Sequence, residues 1–226
     1  MSPVDVCNLA LSHIGDRRIT RLDEEAQMND PLASYCALFY EQAKNEVLAA
    51  HRWTFAKRAT PLARRVNETP FGNFQYIHAL PVDCLRVLDL ILGEIPSVTI
   101  EDPTPTAVYG STKVDGFAII GRDVWSNELY LGLYYISKSE DPTTWTPHFT
   151  AAVSRLLAHY LCGAIADNSR MGNNFLEIYE RVALPNAQFY DAVQDQSGEN
   201  YHDQRGGSPT LLARYQSSRN PNYFED

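Results

Sequence analysis

YEQAKNEVLAAHRWTFAKRATPLA, residues 40–63, holds the turning point of the chain. Up to about Ala50 its apolar residues recur every three or four positions. They continue a stripe of Leu32, Cys36, Phe39, Ala43, Val47 and Ala50, which predicts a helix opened by Asp30 as cap and Pro31 in its first turn. From Trp53 onward Pro, Gly and β-branched residues come in short alternating runs, the pattern of strands and turns. A helical part therefore hands over to a β-rich part close to Trp53 and Phe55, and aromatics closing a helix at such a place are expected to be buried plugs.

Upstream, Ser2 and Pro3 start a first helix with Val6, Leu9, Ala10 and Ile14 on one face and Gly15 as its stop. The following stretch to Asp30 is polar and turn-rich, with a short extended piece at Ile19. Downstream, strands are expected at 74–80, 84–92, 98–100, 106–109, 116–120 and 129–137. The last has apolar residues on both faces and should be covered on two sides. Thr146 and Pro147 repeat the cap-and-proline start for a third helix with a broad apolar stripe from Phe149 to Ile165. A fourth carries Phe175, Ile178, Tyr179, Val182, Phe189 and Val193 and is kinked or split at Pro185.

The fold class is thus α+β: a four-helix body made of N- and C-terminal helices, with a β-rich insertion between the second and third helices and an extended C-terminal arm. Residues 1–54 and 144–197 are assigned to the body, 55–143 to the insertion and 198–226 to the arm. In that arm Gly206 and Gly207 form a joint, and Leu211, Leu212, Tyr215, Tyr223 and Phe224 are apolar anchors in polar surroundings. They cannot make a core alone and are expected to fold on binding a neighbouring protein.

Composition narrows the function. The 226 residues carry 19 basic and 28 acidic side chains, net charge -9, which gives no general attraction to nucleic acid or anionic lipid. Hydrophobic residues at 44% suit a folded protein with a large core. The longest apolar run, residues 152–166, is broken by Arg155 and His159 and is too short to span a bilayer, and the first residues lack a signal-peptide pattern. Folding in a cytoplasm and no membrane partner are the expectations. Cys7, Cys36, Cys84 and Cys162 lie far apart, without metal-ligand spacing, and read as core residues. The six histidines sit singly, and neither a nucleotide-binding loop nor a hydrolase motif is present. GSTK at 110–113 only faintly resembles the end of a phosphate loop. No cofactor, metal or catalytic residue is assigned.

One charge signal stands out: Arg52, Lys57, Arg58, Arg64 and Arg65, with no acidic residue from Ala49 to Val66 and with Trp53 and Phe55 between. This resembles a nucleic-acid surface. It also suits a solvated edge or a patch that meets an acidic protein partner, so it stands as a candidate partner or DNA contact.

Three segments together carry a family resemblance. They are Leu11, Ile14, Gly15 and Ile19 near the start, then Trp53, Phe55 and Ala56 where the second helix ends. The third is Leu80, Pro81, Asp83, Cys84, Leu85, Arg86 and Val87 at a strand entry. In this order they resemble the head-to-tail adaptors of short-tailed bacteriophages, also called tail tubular protein A, with the likeness extending to about residue 195. The resemblance implies a non-enzymatic virion protein at the head-tail junction, assembled in the host cytoplasm. It implies a homo-oligomeric, dodecameric ring beneath the portal protein, joined to the tail nozzle protein, with genomic DNA passing without sequence-specific binding. An acidic lining would let DNA slide. Two other readings remain: a tail component degrading polysaccharide or peptidoglycan through unrecognised carboxylates, and a packaging accessory gripping DNA through residues 52–65.

Overall fold

The computed structural model describes residues 1–66, 70, 72–94, 108–138, 141–166 and 168–194. The C-terminal arm with its five anchors, and the strand expected at 98–100, lie outside the described residues.

The chain begins with α1, Pro3–Ile14. Ser2 and Asp5 form a reciprocal capping box at its start, and Gly15 ends it at φ 85°, a left-handed conformation that glycine adopts without strain. The extended piece at Ile19 is held by a two-way amide clamp. Asn8 Nδ2 donates to the Ile19 carbonyl at 2.9 Å, and the Ile19 N–H donates to Asn8 Oδ1 at 2.8 Å. The polar stretch read as turns also contains a short helix, α2 (Glu24–Asn29), capped by Asp23. It buries no residue, so it leaves no apolar periodicity to detect. Then comes α3, Pro31–Ala50, whose cap Asp30 also receives Arg17 at 2.7 Å. Its buried side is Leu32, Ala33, Cys36, Tyr40, Ala43, Val47 and Leu48, while Ala50, expected on the stripe, is exposed.

After a single 3-10 turn, Thr54–Ala56, the β-rich part follows: β1 (Lys57–Pro61), β2 (Ala63–Arg64), β3 (Tyr76–Ala79), β4 (Cys84–Glu94), β5 (Val108–Lys113), β6 (Ala118–Ile120), β7 (Asp123–Ser126) and β8 (Leu131–Ser137). They form two antiparallel four-stranded sheets, ordered β1-β8-β4-β5 and β2-β3-β7-β6. Leu62 is the crossing point between the sheets. Its N–H donates to the Leu131 carbonyl at 2.8 Å and its side chain joins the inter-sheet core of Leu90, Val124, Leu131, Leu133 and Tyr135. Three strands escaped the sequence reading. β1 and β2 lie in the basic stretch, where Arg58, Ala59, Pro61, Ala63 and Arg64 are exposed, and β7 is four residues joined to β6 through Gly121 at φ 63°. GSTK at 110–113 lies within β5, a strand rather than a loop opening a helix, so the phosphate-loop likeness fails.

β8 is covered on two sides only in part. Leu131, Leu133 and Tyr135 face the inter-sheet core and Ile136 enters the helical core, whereas Tyr134 remains 42% exposed. Leu85 and Leu88 on β4 also pack toward the helices.

The helical part resumes with α4 (Pro147–Leu161), capped by Thr146, then α5 (Ser169–Ile178) and α6 (Leu184–Gln194). α4 is the central helix, touching α1, α3, α5 and α6. Residues Pro147–Ala166 are long and apolar enough by composition to cross a bilayer, with mean hydropathy 1.3. Here Phe149, Val153, Leu156, Leu157 and Leu161 are fully or almost fully buried among the other helices, which accounts for that apolarity. At Gly172 the backbones of α5 and α4 approach closely: a Cβ there would sit 3.3 Å from Cys162 Cβ.

Two wide π-helical turns interrupt the C-terminal helices, at Cys162–Ala166 and Tyr179–Ala183. The second stands directly before Pro185, which has no N–H to donate to an i−4 carbonyl. The Leu184 N–H instead reaches back to the Tyr179 carbonyl, and the helix runs on through the proline.

Candidate functional site

The wide turn at 179–183 decides which residues face outward. On an uninterrupted α-helix, buried Phe175 and Tyr179 would be followed inward by Val182, Phe189 and Val193. One extra residue in the turn rotates the remainder by about 100°. The residues that go inside are therefore Ala187 and Asp191, at 0% and 1% exposure. Val182, Phe189 and Val193, expected on the packed face, stand 52%, 58% and 62% exposed, with Tyr190 beside them at 47%. Together they make an uncharged apolar stripe along the last described helix. Tyr190 is held flat against His148, ring centroids 3.9 Å apart at 3°, and Phe189 meets it edge-on at 5.5 Å.

The inward residue Asp191 is the polar anchor of this arrangement. Its carboxylate accepts Thr54 Oγ1–H at 2.8 Å and the Thr54 backbone N–H at 3.1 Å, and lies 3.3 Å from His51 Nε2. Both side chains are essentially closed to solvent, His51 at 2% and Asp191 at 0% side-chain exposure, while Thr54 is half-buried. A His-Asp pair so sealed joins α6 to the end of α3 and offers no approach to a substrate. Next to it Trp53 is fully buried, donates its indole N–H to the Val47 carbonyl at 2.8 Å, and meets Phe149 edge-on at 4.8 Å. Phe55 and Trp145 close on the same Phe149 ring, so the aromatics expected to plug the handover do so.

The basic residues have partners of several kinds. Arg52 faces Asp89 at 3.7 Å, with Lys113 on the same carboxylate at 3.3 Å. Arg58 donates to the carbonyls of Phe55 and Lys57, Arg65 pairs with Asp123 at 2.7 Å, and Arg64 lies over the Tyr76 ring. Lys57 heads β1, and it too has an interaction partner. Two of the five cations, Arg52 and Arg65, are matched by aspartates distant in sequence. Linear spacing could not show that, because Asp89 and Asp123 arrive only when the sheets form.

Asp83, in the strand-entry motif, ties β8 to the start of β4. It accepts the Ser137 hydroxyl at 2.7 Å and the Tyr135 hydroxyl at 3.2 Å. The Ser137 bond, foremost among several, holds its carboxyl below the usual carboxylate range. A depressed pKa stabilises the fold above the unfolded value and is lost as pH falls through the folded one. The stability gap between wild type and Asp83→Ala should thus be full above about pH 5 and shrink below about pH 4, checked by thermal melts across pH.

Among the described residues no three His, Cys, Asp or Glu side chains converge as a metal-ligand set. All four cysteines are free thiols, and Cys7 and Cys36, distant in sequence, meet between α1 and α3, where the Cys36 contact and burial push the Cys7 thiol up. The Gly172 carbonyl accepts from His159 Nδ1 at 2.9 Å, and His78 lies buried beside the Leu129 carbonyl. No protein-family model matches the chain, and no curated protein is significantly similar to it.

Proposed function

We propose that the chain is a structural head-to-tail adaptor, docking as a ring beneath a phage portal and joining it to a tail nozzle. In this reading α1, α3, α4 and the α5–α6 unit are the four-helix body, the two sheets are the insertion, and residues 198–226 are the arm. The observation that carries it is the apolar stripe of Val182, Phe189, Tyr190 and Val193, turned into solvent by a wide helical turn. Such turns are kept where a surface is used. Nothing charged interrupts the stripe, which suits contact with a neighbouring protein.

Its size also fits assembly on a template. Four side chains about half exposed offer on the order of 400 Å², roughly half of what each partner contributes to a stable pairwise interface. Free copies should therefore stay apart, while copies held side by side on a portal gain the contact at high effective concentration. Lateral contacts between different faces close into a ring. The internal pairing of Arg52 and Arg65 with Asp89 and Asp123 weighs against a DNA grip.

Phe189→Asp tests the reading. The site is 58% exposed, so the melting temperature should hold to within about 0.5 kcal/mol of stability, while ring formation on the portal is lost. A variant that assembles as well as the wild type would remove the stripe from the account.

A further inference from the structure

A second exposed face lies on α3, away from α6. Tyr35 and Leu38 stand outward, 39% and 65% exposed, one turn apart, with Gln42 in line with them. Met28, 85% exposed, adds to it from α2, which packs against α3. Four acids, Glu24, Glu25, Glu41 and Glu46, lie on α2 and α3, with Glu25 paired to Arg21 at 2.9 Å and Glu41 to Lys44 at 2.7 Å, so the acids outnumber the cations that pair with them. Glu41 is 60% exposed while holding the buried stem of Lys44, and Glu46 accepts the Tyr160 hydroxyl.

The chain itself contains the complement. Between Asp203 and Glu225 there is no acidic residue, and Arg205, Arg214 and Arg219 flank Leu211, Leu212 and Tyr215. We propose that residues 205–219 dock in cis on the Tyr35–Leu38 face of α3, the leucines and tyrosine covering its apolar positions and the arginines meeting its acids. Reach favours the same chain. Asp191 fixes the end of α6 beside Thr54 and His51, at the C-terminal end of α3. Leu38 lies about 13 residues back along that helix, roughly 20 Å. Leu211 follows Gln194 by about 17 residues, which span up to roughly 56 Å when extended. A tether of this length gives an effective concentration near millimolar, enough for a small mixed contact to close. The inference stands apart from the adaptor reading, since it concerns the free full-length protein without a portal.

Limited trypsin digestion of the full chain, followed by mass spectrometry at Arg205 and Arg214, tests it. Docking should slow cleavage at these sites about tenfold relative to Leu38→Glu, whose exposed position leaves the fold intact. Leu212→Glu should likewise speed cleavage at Arg205 without touching the body. Protection must be independent of protein concentration. Equal rates in wild type and both variants overturn the proposal, and protection that grows with concentration overturns it in favour of docking between copies.

Discussion

Asp191→Ala is expected to lower stability by about 3–5 kcal/mol, because it removes a buried carboxylate that accepts two hydrogen bonds and leaves both Thr54 donors without their acceptor. Three groups depend on this carboxylate: the Thr54 hydroxyl, the Thr54 N–H and the His51 ring. Asp191 is 1% exposed and His51 2%, while Thr54 is half-buried, so the carboxylate side of the contact is closed to water. The loss should appear as a fall in melting temperature on the order of 10 °C. A double-mutant cycle with His51→Ala separates the pair from general damage, and a coupling near zero would assign the whole effect to Thr54. The wide turn gives this residue its role: it places Asp191 where an uninterrupted helix would have placed Tyr190.

Trp53→Ala should cost a similar amount, about 3–5 kcal/mol, for a different reason. The indole is fully buried between the end of α3 and the start of α4, so its removal leaves a cavity bounded by Phe55 and Phe149, together with an unmet carbonyl at Val47. Trp53→Phe keeps most of the volume and loses the N–H, and should fall well short of the alanine variant in urea denaturation. An unchanged melting temperature for Trp53→Ala, with altered DNA binding, would instead make this residue part of a nucleic-acid surface.

Helix starts were the most legible feature of the sequence. Ser2, Asp30 and Thr146, each followed by proline, all accept the backbone N–H that a cap requires. The handover at Trp53 was visible because the apolar period changes there. α2 was hidden, having no buried face, and β1 was masked by its charge. The orientation of α6 was lost to spacing analysis for a stricter reason. A single wide turn shifts every later residue by one position, and its only trace in the sequence is Pro185, which fits a kink equally well. Asp191 therefore looked like a surface acid, and Phe189 and Val193 like core. In the basic stretch, linear spacing displays five cations but not the aspartates that β4 and β7 bring beside Arg52 and Arg65.

The most direct test of the central claim is a mass measurement of the purified full-length protein, alone and mixed with its portal, by light scattering or native mass spectrometry. The account predicts a monomer alone, because the exposed stripe is too small to hold two copies together, and a closed ring of many copies once the portal is present. A stable dimer that ignores the portal would contradict it.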